Sequence, residues 1–267
     1  MTLYECARIE RTGEKTYAAY TDDAYWNAVG PFGGWIAAVF VRCVSLETGG
    51  AGDPLSFSVN FAGAMQPGAF SVRLRELRAN RSTTFWSAEL LQEQHGADVL
   101  CAFATTVFAQ RRETPAFLDA VAPAVTPPEE LHQFSAVSAR AFLKHFDMRF
   151  DGGGTIPKLR DGQVLTWVRS LDSGAVDYET LTAICDVGLP HIFMRLRQFV
   201  PVSTVTMNVF YHMPRAELAK VGGDFLLTGS RMRIAGNGFF DATTSVWSRA
   251  GMLLATTEQV VWFKAPQ

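Results

Sequence analysis

The segment Gly30-Pro31-Phe32-Gly33-Gly34 is followed by the apolar run Trp35-Ile36-Ala37-Ala38-Val39-Phe40-Val41-Arg42-Cys43-Val44. Arg42 is the only charged residue of that run. A helix that is apolar on nearly every face must be enclosed on all sides rather than laid on a surface. The run therefore predicts a central helix around which the rest of the chain folds.

Two glycines, Gly33 and Gly34, stand at the start of this predicted helix. Because glycine has no β-carbon, a second backbone or a ligand can approach closely there. The first amide groups of a helix have no partner within the helix and carry the positive end of its dipole. Such an end suits a carbonyl oxygen that gains negative charge, although close packing alone would also explain the pair.

The composition is that of a globular chain without a strong charge. Its 267 residues are 48% hydrophobic, and 24 basic residues against 26 acidic ones give a net charge of -2. This length allows one large domain or two smaller ones, each with its own core. A charge this small offers no electrostatic footprint for nucleic acid or for an anionic membrane. Any ligand must therefore be recognised by local contacts.

The N-terminus and the cysteines predict the location. The first ten residues lack the basic segment and apolar core of a signal peptide, and no apolar stretch reaches the ~18 residues of a membrane span. The cysteines occur singly and mostly within apolar runs, at Cys6, Cys43, Cys101 and Cys185. We expect free, buried thiols and a cytoplasmic protein.

Each half of the chain shows the same order of elements: two strands, one helix and four strands. In the first half, strands are predicted at 3–8, 15–20, 55–61, 70–75, 82–92 and 99–110. In the second half they are predicted at 141–150, 164–170, 204–212, 225–234, 239–247 and 252–263, with a helix that begins after the N-cap Asp177. One helix wrapped by an antiparallel sheet, repeated once, predicts an α+β fold with two sheets side by side.

A proline-containing segment, residues 111–136, separates the two halves. Its prolines, at positions 115, 123, 127 and 128, stand in a stretch without a sustained hydrophobic period. We therefore predict two units, residues 1–110 and 137–267, joined by a linker at 111–136. The sheet edges that such units expose favour a homo-oligomer.

Six segments carry a resemblance to a known family. In the first half they are Gly30-Pro31-Phe32-Gly33-Gly34, Gln66-Pro67-Gly68 and Leu77-Arg78-Ala79-Asn80-Arg81-Ser82. In the second half they are Leu181-Thr182-Ala183-Ile184-Cys185-Asp186, Ser203-Thr204-Val205-Thr206-Met207-Asn208-Val209-Phe210-Tyr211-His212 and Leu254-Ala255-Thr256-Thr257-Glu258-Gln259. In their order and spacing the chain resembles the acyl-CoA thioesterase II family, in its thioesterase-like branch, whose fold is a double hotdog.

The resemblance implies an enzyme that hydrolyses an acyl-CoA to a carboxylic acid and free CoA without a cofactor or a metal. It also implies the catalytic residues Asp186, Thr204 and Gln259. Two neighbouring positions depart from the family. Residues 183–185 replace its usual aromatic-rich lead into the aspartate, and Val260 stands where a carboxylate is common. Because these changes reshape the acyl pocket, the acyl length is left open.

Thioester hydrolysis needs a water activated near the carbonyl carbon and a donor for the developing oxyanion. We expect Asp186 to accept a hydrogen bond from that water, and Thr204 and Gln259 to hold it. The amides near Gly33 and Gly34 are expected to face the oxyanion. Each of the three polar residues also has a structural explanation, as an exposed helix end (Asp186), a strand former (Thr204) or an exposed strand position (Gln259).

Other polar residues carry weaker hypotheses. Arg81 is a candidate to bind a CoA phosphate, although an arginine at the end of a strand is usually solvated. The histidines His95, His191 and His212 share no metal-ligand spacing with cysteine or carboxylate, so we interpret them as structural or surface residues. No Gly-x-Ser-x-Gly or nucleotide-binding glycine motif is present, which disfavours a serine hydrolase and a dinucleotide enzyme.

Two alternatives to a thioesterase use the same residues. Asp186 and His191 have the Asp-x4-His spacing of hotdog-fold enoyl-CoA hydratases, but here the aspartate follows a helical pattern rather than preceding one. The second alternative is a non-catalytic acyl-CoA-binding protein, which the presence of all three candidate catalytic residues disfavours. In each case the partner is an acyl-CoA, with its acyl chain between the halves and its nucleotide mostly at the surface.

Overall fold

The computed structural model describes residues 3, 5–134, 140–153, 157, 159 and 162–265. Its α-helices are α1 (Gly33–Glu47), α2 (Tyr178–Ile184), α3 (His191–Leu196) and α4 (Arg215–Ala219). The strands of the first half are β1 (Glu10–Gly13), β2 (Thr16–Tyr20), β3 (Asp53–Phe61), β4 (Ala69–Ala79), β5 (Thr83–Gln94) and β6 (Ala97–Ala109). Those of the second half are β7 (Phe146–Phe150), β8 (Gln163–Ser170), β9 (Val202–Tyr211), β10 (Leu226–Arg231), β11 (Ala235–Gly236), β12 (Phe239–Trp247) and β13 (Leu253–Phe263).

The strands of both halves join into a single sheet. Its order is β1-β2-β4-β5-β6-β3-β9-β13-β12-β10-β8-β7, with β11 paired to β12. The halves meet in the middle, where β3 and β9 pair antiparallel with Ser58 opposite Asn208. The two predicted sheets therefore lie edge to edge, each on one side of the β3–β9 junction.

Helices α1 and α2 pack against each other on one face of this sheet, which we call the inner face. In α1, every residue from Gly34 to Val44 except Arg42 is buried, so the predicted central helix is confirmed. The predicted N-cap of α2 is confirmed as well, because the Asp177 carboxylate accepts a hydrogen bond from the Thr180 backbone N–H at 2.7 Å.

One predicted strand is wrong and a second is wrong in part. Residues 3–8 contain a 3-10 helix, Glu5–Ala7, because Leu3, Cys6 and Ala7 are buried at helical rather than alternating spacing; residue 4 lies outside the described residues. The segment predicted as a strand at 141–150 begins with a second 3-10 helix, Ala141–His145, before β7. There the ring of Phe142 stacks on Phe32 at 4.2 Å, which favours a turn that aims the ring at the start of α1.

The predicted linker runs over the second half of the chain. Residues 111–127 form neither helix nor strand, and a 3-10 helix, Pro128–Glu130, follows them. The Trp167 indole N–H donates a hydrogen bond to the Thr126 carbonyl at 2.9 Å, and Ala122 and Val125 pack on the apolar cluster around that tryptophan. The predicted end of the linker falls among residues 135–139, outside the described residues, so the unit boundaries stay a prediction.

All four cysteines are free and buried, as predicted. Within the part of the chain that the structure describes, no helix is long and apolar enough to cross a membrane.

Candidate active site

The structure brings Asp186 and Gln259 together. Asp186 follows the last turn of α2, where its backbone N–H donates to the Ala183 carbonyl at 3.0 Å. Gln259 projects from β13 on the inner face, and its Nε2 donates to Asp186 Oδ1 at 2.9 Å and to the Cys185 carbonyl at 3.4 Å. This contact places the carboxylate in a fixed orientation at the end of the helix.

The glycine pair at the start of α1 makes room for this carboxylate and for α2. A β-carbon on Gly33 would lie 2.8 Å from Asp186 Oδ2, and one on Gly34 would lie 2.8 Å from the Ala183 carbonyl oxygen. Both distances are shorter than van der Waals contact, so neither position accepts a side chain without movement.

The Gly34 backbone N–H also acts on the Asp186 carboxylate and favours its ionised form. Helix α1 has no side-chain N-cap and no acidic residue in its first turn, and the Asp186 carboxylate, from the other half of the chain, lies beside the positive end of its dipole. Asp186 therefore lies beside these amides in this structure, and their expected oxyanion role stays a prediction.

Burial raises the pKa of Asp186 to about 7, against the opposing effects of the Gln259 and Gly34 hydrogen bonds, which favour the ionised form. A carboxyl group with a pKa near neutrality exchanges a proton readily at physiological pH. This is the property that a general base or acid needs.

Thr204 reaches the same face of the sheet through an irregularity in β9. Met207 pairs with Gln259, whereas Thr204 pairs with Val261, so β9 has one more residue than β13 between these pairs. This bulge places Thr204 on the inner face, diagonal to Gln259. Thr204 is partly buried, and within the described residues no hydrogen bond joins its hydroxyl to Asp186 or Gln259.

Phe61, at the end of β3, belongs to the same site and was not among the predicted site residues. Its ring atom Cζ lies 3.2 Å from the point that a β-carbon on Gly33 would occupy. The sequence signal that could have indicated an inward-facing ring is the apolar alternation along β3, but that alternation gives no information about the neighbours of the ring. The site thus takes groups from both halves of the chain.

The structure does not bring Arg81 to this site. Arg81 is exposed in the turn between β4 and β5. Strand β5 lies four strand positions from β13, which carries Gln259, and each position spans about 4.8 Å of sheet.

The structure pairs His191 with a backbone carbonyl of the sheet rather than with Asp186. His191 begins α3, is buried, and donates its Nε2 hydrogen to the Ser230 carbonyl of β10 at 2.9 Å. Burial lowers its pKa, which favours the neutral ring. Among the described residues no group of three or more His, Cys, Asp or Glu side chains is arranged to hold a metal ion.

Comparison with solved structures gives the class of protein. The chain is similar, with a TM-score of 0.92 and 30% identity, to a hot dog fold protein of unknown function from Alicyclobacillus acidocaldarius, over 99% of this chain and 98% of that one. It is also similar, with a TM-score of 0.77 and 17% identity, to an acyl-CoA thioesterase II from Mycobacterium marinum, over 100% of this chain and 99% of that one. The predicted α+β double hotdog fold is confirmed.

Comparison with family models gives the family. The model of the acyl-CoA thioesterase N-terminal domain matches residues 22–109, and that of the acyl-CoA thioesterase C-terminal domain matches residues 119–263. The chain belongs to the acyl-CoA thioesterase family, and the predicted enzyme class, a thioester hydrolase, is confirmed. Comparison with curated protein sequences gives no match.

Proposed function

We propose that this chain hydrolyses acyl-CoA at the site formed by Asp186, Gln259, Thr204 and the N-terminus of α1. The observation that carries the proposal is the hydrogen bond from Gln259 to a partly buried Asp186 carboxyl group whose pKa is about 7. Gln259 holds this carboxylate on one side, and the start of α1 lies on the other. A carboxylate that is held in this way and titrates near neutrality is suited to activate water.

The reaction balances without a covalent enzyme intermediate. The water oxygen bonds to the thioester carbonyl carbon while Asp186 takes one of its protons. The carbonyl oxygen, now an oxyanion, is stabilised by the positive end of α1. The carbon–sulfur bond then breaks, and the CoA thiolate takes the proton from Asp186 to leave as a thiol. Gln259 and Thr204 hold the water at the correct side of the carbonyl.

The assignment of Gly33 and Gly34 to the oxyanion follows from their place at the helix end. In the structure Asp186 lies beside the Gly33 position at the start of α1, so a substrate oxygen would share this helix end with the carboxylate when it enters. We place the acyl chain between the halves near α1 and α2, and the CoA nucleotide at the surface.

The wider setting is also a proposal. Free buried thiols fit a cytoplasmic location, and the substrate fits a role in fatty acid metabolism. A homo-oligomer is supported by three large aromatic side chains exposed on the outer face of the sheet, Phe103, Phe210 and Trp262.

The test is thiol release from a series of acyl-CoA thioesters of increasing length. We expect Asp186→Asn and Gln259→Ala each to lower kcat by about 10²-fold or more, because each removes the base or its positioning group. Glu258→Gln is the matched control, since Glu258 is exposed next to Gln259 in sequence and points to the other face. Wild-type rates in both site variants would refute the assignment. Hydration of crotonyl-CoA without thiol release would instead indicate the hydratase alternative.

A further inference from the structure

We propose that Phe61 is the specificity-determining residue of this site and that its ring restricts the enzyme to short acyl groups. This inference rests on the proposed function, because it concerns the acyl group of the same thioester. It assigns to the first half of the chain a wall of a site whose polar side chains, Asp186, Thr204 and Gln259, come from the second half.

The position of Phe61 in the sheet points its ring at the site. β3 is one of the two central strands, and its inner face carries Phe57, Val59 and Phe61 in alternation. Phe57 and Val59 are buried in the core, whereas Phe61 is only partly buried. The strand therefore ends with an aromatic ring that lies next to Gly33, at the start of α1.

The ring lies next to the reacting groups. The point that a β-carbon on Gly33 would occupy is 3.2 Å from Phe61 Cζ and 2.8 Å from Asp186 Oδ2. The ring and the carboxylate oxygen are therefore separated by no more than the sum of these distances, 6.0 Å. A water on Asp186 and the thioester carbonyl that it attacks both need space beside this oxygen. We therefore place the first carbons of the acyl group against the Phe61 ring.

The surroundings of the ring leave little room for a long chain. Along the inner face below Phe61, Val59 on β3 and its neighbour Met207 on β9 are both fully buried. Protein cores are close-packed, so an acyl chain cannot enter this part of the core without displacing side chains. A short acyl group can rest on the ring, whereas a long one would have to push it aside.

The test compares kcat/KM along a series from acetyl-CoA to dodecanoyl-CoA in wild type, Phe61→Leu and Phe61→Ala. We expect wild type to prefer the short end. Phe61→Ala should raise the ratio of kcat/KM for dodecanoyl-CoA over that for butyryl-CoA by about tenfold or more. Accommodating even one or two more methylene groups in an apolar pocket changes kcat/KM by this much. Phe61→Leu should give a smaller rise in the same direction, and it preserves more of the packing if the alanine variant folds poorly.

The matched control is Phe103→Ala, which removes an exposed ring from the outer face of the neighbouring strand β6 and should leave the ratio unchanged. A second measurement, the pH dependence of kcat/KM, distinguishes a ring that lines the site from one that only supports the fold. Removing Phe61 admits water to the Asp186 carboxyl group, so the acidic limb of the kcat/KM profile should move to lower pH.

The outcomes are distinguishable. An active wild type with the same length preference in both Phe61 variants overturns this inference and leaves the proposed function intact. A wild type that already prefers dodecanoyl-CoA also overturns it. A wild type that releases no thiol from any member of the series overturns the proposed function and this inference together.

Discussion

The two ends of the α1–α2 pair look alike in outline and differ in chemistry. At one end, the N-terminus of α1 meets Asp186 beyond the last turn of α2. At the other end, the N-terminus of α2 meets the side of α1, where Glu179 lies 3.8 Å from the guanidinium of Arg42. Each end therefore holds a carboxyl group at the start of a helix.

The difference lies in how each helix start is satisfied. Helix α2 is capped by its own Asp177, which leaves Glu179 buried opposite a positive charge. Helix α1 has no such cap, and Asp186 serves it from the other half of the chain while also binding Gln259. At the start of α2, the cap comes from the helix itself and Glu179 faces Arg42. At the start of α1, the side-chain amide of Gln259 and the carboxylate of Asp186 are groups that a substrate can use.

The comparison also shows what a shifted pKa means. Burial raises the pKa of both Glu179 and Asp186 to about 7. A perturbed pKa therefore does not by itself identify a catalytic carboxyl group. The neighbours decide, because of these two carboxyl groups only Asp186 is bonded to an uncharged amide side chain and lies against a glycine at a helix start.

The largest expected effect separates these two carboxyl groups. Asp186→Asn should lower kcat by about 10²-fold or more, whereas Glu179→Gln should leave kcat within about threefold of wild type, because it lies outside the site. Thiol release from the best acyl-CoA substrate measures both, with circular dichroism to show that each variant is folded. An equal loss in Glu179→Gln would mean that the other end of the helix pair takes part in catalysis.

A smaller effect distinguishes the two glycines. Gly33→Ala places a methyl group against a movable side chain, the Asp186 carboxylate, so we expect kcat to fall about tenfold or more. Gly34→Ala places it 2.6 Å from the Phe32 ring and 2.8 Å from the Ala183 backbone carbonyl, and that carbonyl cannot move without α2. That variant should cost about 1–3 kcal/mol of unfolding free energy, and more than Gly33→Ala does.

Urea unfolding and thiol release on the same two preparations check this pair. If Gly33→Ala kept the wild-type kcat, the closeness of Gly33 to Asp186 would have no functional meaning. If Gly34→Ala were as stable as wild type, the close contact between α1 and α2 would be wrong.

Much of this architecture could be predicted from the sequence because it depends on local patterns. The apolar run of α1 and the Asp177 cap of α2 are signals within a few residues. Asp186 and Gln259 were predicted as partners from the family resemblance, and the structure places them in contact. Their distance in sequence gives no such information by itself.

The remaining features depend on contacts between distant segments. The face on which Thr204 lies depends on a bulge within a run of strand formers, and that run contains no residue that marks the bulge. Phe61 was predicted only as part of a strand, because its contact with the site requires the two halves to be placed together. The 3-10 helix at Glu5–Ala7 was missed because a short apolar alternation fits a strand equally well.

The pH dependence of kcat/KM, measured in wild type and in Gln259→Ala, tests the role of Asp186 most directly. The reaction needs the ionised carboxylate, so the rate should rise with pH through about 7 and level off above it. Because the Gln259 hydrogen bond favours the ionised form, its removal should move the midpoint to higher pH as well as lower the rate. A wild-type midpoint near 4, the ordinary range of an aspartate, or a midpoint that does not move in Gln259→Ala, would contradict the account.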